Sequence, residues 1–155
     1  MLAIETPNFH FHNANPKGKK AADCVVRAIA VALGQTWEET MREMTELGIK
    51  HGLVFNEDKL IDLYLNKKGW FKMKEPRDCD NKKISVERFA KGRGSSGVFV
   101  ARAGSHHLTL IADGVVWDTW DCSKKTMHSF YTNPMAKAPK LEREQPKPEK
   151  RRFTL

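Results

Sequence analysis

The chain has 155 residues, with 27 Lys and Arg against 19 Asp and Glu and a net charge of +8, enough length for one domain with its own apolar core. Its three cysteines show no Cys-x-x-Cys spacing, which excludes a disulfide framework or a zinc ribbon and fits a reducing, cytoplasmic compartment. The start, Met1-Leu2-Ala3-Ile4-Glu5-Thr6-Pro7, has no basic region ahead of an apolar stretch, so no secretory signal is expected, and the apolar runs are too short to span a bilayer.

In chain order, Phe9-His10-Phe11-His12 reads as a half-exposed strand with both histidines on one face, a pair without the third ligand a metal site needs. Asp23 to Gly34 reads as a helix. Asp23 is a favoured N-cap, its carboxylate accepting orphan N–H groups of the first turn, and Gly34 supplies a left-handed stop. Nearly every side chain between them is apolar, which predicts a helix covered on most sides. Cys24 then takes the first helical position, where the macrodipole and free N–H groups favour an anion and lower a thiol's pKa. Cys79 and Cys122 read as small apolar filler.

Thr36 and Glu39 form a capping box for a second helix, expected to run through core residues Met41, Met44 and Leu47 to a stop at Gly48. Asn56 is expected to cap a third, carrying Leu60, Ile61, Leu63, Tyr64 and Leu65 and ending near Gly69. Trp70 to Lys74 suggests a strand, and Ser85 caps a short helix through Val86 and Phe89. Lys91 to Gly97 reads as a loop, lacking the spaced Gly-Lys-Ser/Thr of a phosphate cradle.

Asp113-Gly114 between two apolar runs is a strong hairpin signal, a two-residue type I′ turn. That turn pairs Ala112 with Val115, Ile111 with Val116, Leu110 with Trp117 and Thr109 with Asp118. Alternation then puts His107, Thr109 and Ile111 on one face with Val116, Asp118 and Trp120. Asp118 becomes the diagonal cross-strand neighbour of His107, and His106 points to the other face. A thiol at a helix start followed by histidine and a carboxylate on paired strands is the pattern of a nucleophilic triad. Cys24 is the expected nucleophile, His107 the base and Asp118 its orienting group. Cys122 beside His106 is the weaker alternative, part of a zinc site. No metal or cofactor is expected.

Half the net charge lies beyond Pro134, where seven Lys/Arg face three Glu. This Pro-punctuated stretch is expected to be a disordered tail, so that residues 1–133 form the domain and 134–155 the tail. Lys17, Lys19 and Lys20 add a second basic cluster. Aromatic residues are not interleaved with the basic ones, so nucleic-acid binding is expected to be weak and non-specific at most.

With Cys24, His107 and Asp118 in that order, the chain resembles the papain-like cysteine peptidases. It is most similar to the leader-peptidase domains of bacteriocin exporters, through Asp23-Cys24, His107-Leu108-Thr109-Leu110-Ile111 and Val116-Trp117-Asp118. The wording Asp-Cys-Val-Val-Arg-Ala-Ile-Ala also resembles small uncharacterised bacteriophage and prophage proteins. The resemblance implies an α+β thiol-hydrolase fold, a central buried helix bearing Cys24 packed on a C-terminal antiparallel sheet. It implies hydrolysis of a peptide or other amide through a thioester, in the host cytoplasm if the chain is phage-encoded. The family's oxyanion glutamine, six residues before the cysteine, is Gly18 here, which leaves Asn15 or Lys19 as replacement donors. The alternatives are a catalytically idle member of the fold that binds a host or virion protein, and a polyanion-binding accessory protein.

Overall fold

Alternation along Val98–Ala103 divides the interior in two. In the computed structural model, which describes residues 5–142, Val98 and Val100 enter one apolar cluster while Phe99, Ala101 and Ala103 enter another. The elements run β1 (Phe9–Phe11), α1 (Cys24–Leu33), α2 (Trp37–His51), α3 (Asp58–Lys67), β2 (Phe71–Met73), α4 (Val86–Lys91), β3 (Val98–Ala103), β4 (His107–Ala112), β5 (Val115–Asp118) and β6 (Met127–Thr132). The strands form one six-stranded sheet in the order β1-β5-β4-β3-β6-β2, and the fold is α+β. On one face, Ile29 of α1, Met44 of α2 and Leu60, Ile61 and Leu65 of α3 pack on Val98, Val100, Leu108 and Leu110. On the other, Val86, Phe89 and Ala90 of α4 pack on Phe99, Ile111, Val116 and Phe130. Among the described residues, no helix is long and apolar enough to cross a membrane.

Asp113 and Gly114 both take positive φ, 47° and 80°, as a type I′ turn requires. The ladder then pairs Leu110 with Trp117, Ile111 with Val116 and Ala112 with Val115, the register expected from the turn. The sheet is mixed rather than antiparallel throughout, because β1 runs parallel to β5 with Phe9 opposite Val116 and Phe11 opposite Asp118. His10 is accordingly buried, not half-exposed. β6, which joins β3 and β2, was not expected from sequence. Its adjacent polar residues His128 and Ser129 interrupt the apolar alternation.

Helix ends follow local chemistry with two corrections. The capping box forms, with Thr36 Oγ1 accepting from the Glu39 N–H and Glu39 Oε2 accepting from the Thr36 N–H, each at 3.1 Å. The helix does not stop at Gly48. It continues to His51 and ends on Gly52 in the left-handed conformation. Gly48 serves a different need, since a Cβ there would lie 2.2 Å from the Leu53 carbonyl oxygen, where the chain turns back and Leu53 N–H bonds the Gly48 carbonyl. The residue preceding α3 is Glu57 rather than Asn56, and its side chain caps no helical N–H. Ser85 caps α4 as expected, through the Arg88 N–H.

The stretch expected to be a disordered tail is docked at its start. Ala136, Ala138 and Leu141 pack against the α1–α3 cluster, because these small and apolar side chains fall between the charged ones. The remainder, residues 143–155, lies outside the described residues.

Gly48→Ala should destabilise by about 1–3 kcal/mol in urea melts, because a backbone carbonyl cannot retreat from the added methyl. Helix propensity alone predicts a gain of about 1 kcal/mol. Truncation at Pro134 should remove roughly 1–2 kcal/mol of apolar burial.

Candidate active site

The hairpin register brings Thr109 and His107 to the Asp118 carboxylate from the same strand. Asp118 Oδ2 accepts the Thr109 hydroxyl at 2.6 Å and lies 2.6 Å from His107 Nε2. The other oxygen accepts the Thr119 N–H at 2.7 Å. The Asp118 backbone is held by β1, whose extension gives a 2.9 Å bond from the His12 N–H to the Asp118 carbonyl. Asp118 is buried, and its orientation is over-determined. His106 is exposed in the turn between β3 and β4 rather than on the opposite face of the strand, whereas His107 opens β4 and reaches Asp118. The Trp120 indole lies over His107, ring centroids 4.7 Å apart.

The nucleophile side is built by the first turn of α1. Cys24 opens that helix and is partly accessible. Asp23 does not act as the expected side-chain cap. Its carboxylate instead binds the Arg27 guanidinium, accepts Asn15 Nδ2 at 3.1 Å and accepts Trp37 Nε1 at 2.9 Å. Arg27, itself buried, lies one turn from Asp23 and presents its other nitrogen 3.6 Å from Asp118 Oδ1. One guanidinium therefore links the residue before the thiol to the carboxylate behind the imidazole. The α1 N–H groups, uncapped by Asp23, keep their positive end toward the thiol.

Burial opposes charge on both Cys24 and His107, and in each case the neighbours prevail. Burial raises the Cys24 pKa, but hydrogen bonds from His107 and the Leu108 N–H, with the His107 and Arg27 charges, bring it below the ordinary thiol value. Burial likewise lowers His107, yet hydrogen bonds with Asp118, Cys122 and Cys24 raise it to about 11. Both shifts favour a thiolate and an imidazolium over the neutral pair. With Nε2 on Asp118, Nδ1 is the ring nitrogen left for Cys24. Cys122, fully buried with Sγ 3.7 Å from Asp118 Oδ2, is pushed up above all by burial and stays a neutral thiol.

His107, Asp118 and Cys122 bring one ligand-type atom each within 4.8 Å of one another. Cys122 thus joins His107, not His106. Two donors on one tetrahedral zinc stand roughly 3.3 Å apart, whereas His107 Nε2 and Asp118 Oδ2 are at 2.6 Å. The trio is a hydrogen-bonded cluster. His10 and His12 set their rings edge-on to Trp117, at 4.9 and 6.3 Å between centroids. Of the two expected oxyanion donors, Asn15 spends its amide on Asp23 and Lys19 is exposed. Cys24 opens onto a cleft of about 600 Å³ bounded by Leu53, Asn56, Lys59, Arg102 and His106.

No family model, curated protein or solved structure matches the chain. Cys24, His107 and Asp118 are brought together as their order and register suggest, while Arg27, Thr109 and Cys122 were not anticipated. Arg27 had a signal, as the only charged side chain within the apolar run of α1. Thr109 had one too, as the residue directly opposite Asp118 in the expected ladder.

Arg27→Met should cost about 3 kcal/mol or more in urea unfolding, because two buried carboxylates lose their shared cation. It should also move the alkylation pH profile of Cys24 upward, since the guanidinium favours the thiolate.

Proposed function

We propose that the chain is a cysteine-dependent acyl-transfer enzyme of papain-like design, hydrolysing a peptide, isopeptide or other amide. The observation that carries this reading is His107 standing between Cys24 and Asp118, with the thiol lowered and the imidazole raised. The Cys24 thiolate attacks the carbonyl carbon, and the tetrahedral oxyanion forms beside the start of α1. His107 gives its proton to the departing amine, which leaves the acyl group on sulfur as a thioester. Neutral His107 then takes a proton from water, hydroxide adds to the thioester, and collapse releases the acid and the thiolate. Asp118, fixed by Thr109, Thr119 and Arg27, keeps the ring oriented and stabilises its charge.

One observation supports the second reading, a fold that binds protein without turnover. Asn15 Nδ2 is engaged by Asp23 and Lys19 is exposed, and loss of one oxyanion donor costs about 10²–10³ in rate. On the first reading, the α1 N–H groups supply that stabilisation from the backbone.

Iodoacetamide at pH 6, followed by peptide mass mapping, tests the ion pair. Cys24 should alkylate well ahead of Cys79 and Cys122. His107→Ala should slow it by about tenfold for each unit its thiol pKa rises, and His106→Ala should change little. Equal rates at all three thiols would defeat the ion pair. Any amide turnover should rise with pH as the Cys24 thiol ionises, below the ordinary thiol range, and fall only near the His107 value of about 11. Fast Cys24 alkylation with no acyl-enzyme from any activated peptide ester would favour the second reading.

A further inference from the structure

Arg102 on β3 sits directly opposite Leu108 in the ladder, a residue that lines a small cavity with Cys24. Cross-strand partners present their side chains to the same face, here the face carrying Val98, Val100 and Leu108 under α1 and α3. The Arg102 side chain is only 15% exposed, yet it borders the cleft at Cys24 and a second cleft of about 600 Å³ beyond it. Its hydrogen-bond partner is Asp58, at 2.6 Å through a single oxygen, and the Asp58 side chain is 67% exposed. The other carboxylates nearby are already engaged, and Glu57, which also lines the cleft at Cys24, accepts the Val54 N–H. Asp62 holds Lys72 and the Tyr131 hydroxyl, and Glu75 holds Arg77 and Lys83. A guanidinium presents a fork suited to bidentate carboxylate binding, and here one tine is occupied by an exposed side chain.

From this geometry we infer that Arg102 is the anchor for a carboxylate on the substrate, with Asp58 occupying its place in the free protein. The inference rests on Cys24 being the nucleophile, and it narrows the substrate class to peptides or amides bearing an acidic group near the scissile bond. The carboxylate is either an acidic side chain or the end of a chain. Binding exchanges the Asp58 contact for the ligand's two oxygens and releases Asp58 to water, where a first-turn helix residue is well solvated and still favoured by the dipole. Two clefts that meet at Arg102 give such a substrate room on both sides of the anchor.

The test uses pairs of iodoacetyl dipeptides, Ala-Glu-amide against Ala-Gln-amide and Ala-Ala acid against Ala-Ala amide, with Cys24 alkylation followed by mass spectrometry. In at least one pair the acidic member should react about tenfold faster in the wild type, the gain expected of a charge-assisted bond. The pair that shows the preference identifies the source of the carboxylate. Asp58→Asn should enlarge the ratio by vacating Arg102, and Arg102→Gln should reduce it to near one. Because Arg102→Gln also removes an ion pair from β3, melting curves accompany it, and Asp58→Asn is an independent arm on an exposed residue. A ratio near one in the wild type, or unchanged in both variants, overturns the anchor while fast, His107-dependent labelling leaves the nucleophile reading standing. Slow labelling of Cys24 by every probe would instead remove the reading on which the anchor rests.

Discussion

A buried guanidinium organises this molecule. Arg27 sits inside an otherwise apolar helix, where an unpaired charge would be prohibitively unfavourable, so the fold must bring carboxylates to it. It does so from both directions, with Asp23 one turn earlier and Asp118 from the end of β5. Most of the local geometry follows. Asp23 is drawn away from capping α1 and becomes the junction for Asn15 and Trp37, which ties the approach to α1 and the start of α2 to the same point. Asp118 is pinned at the height where His107 can reach it. Arg27 thus links the residue before Cys24 to the carboxylate behind His107.

The three cysteines show how environment rather than residue type sets thiol character. Cys79 is exposed in a turn between Asp78 and Asp80. Cys122 and Cys24 flank the same imidazole, yet burial and the adjacent Asp118 charge push the Cys122 thiol up while His107, a backbone N–H and the Arg27 charge bring Cys24 below the ordinary thiol value. The neutral Cys122 thiol acts as a weak donor behind Asp118.

Much of the site could be read from the sequence because it depends on local rules. A two-residue turn dictates a register, and the register dictates which of His106 and His107 meets Asp118. Thr36 and Ser85 announce their helices for similar reasons. What escaped was long-range or competitive. Asp23 satisfies the composition rule for a cap, but a cation on its own helix outbids the N–H groups for its oxygens. Gly48 looks like a stop and is a clearance for a returning carbonyl. The parallel placement of β1, the identity of β6 as a strand and the docking of Ala136, Ala138 and Leu141 depend on partners far along the chain. Short polar-interrupted segments carry no periodic signal of such partners.

The pairing of β1 with β5 has a bearing on how the molecule is assembled. Asn8 bonds Gly114 across a sequence separation of 106 residues, and the same strip of contacts holds the backbone of Asp118 through His12. Contacts of such separation are slow to form, because closing the intervening loop costs entropy before any bond rewards it. Helices α1 to α3 can collapse on one another from local contacts well before this closure. During synthesis β1 emerges early and waits for nearly the whole domain before its neighbour exists. A nascent or half-folded chain therefore carries Cys24 on a formed helix but lacks the clamp that holds its carboxylate. The backbone support that β1 gives Asp118 is therefore gained only when this long-range pairing closes.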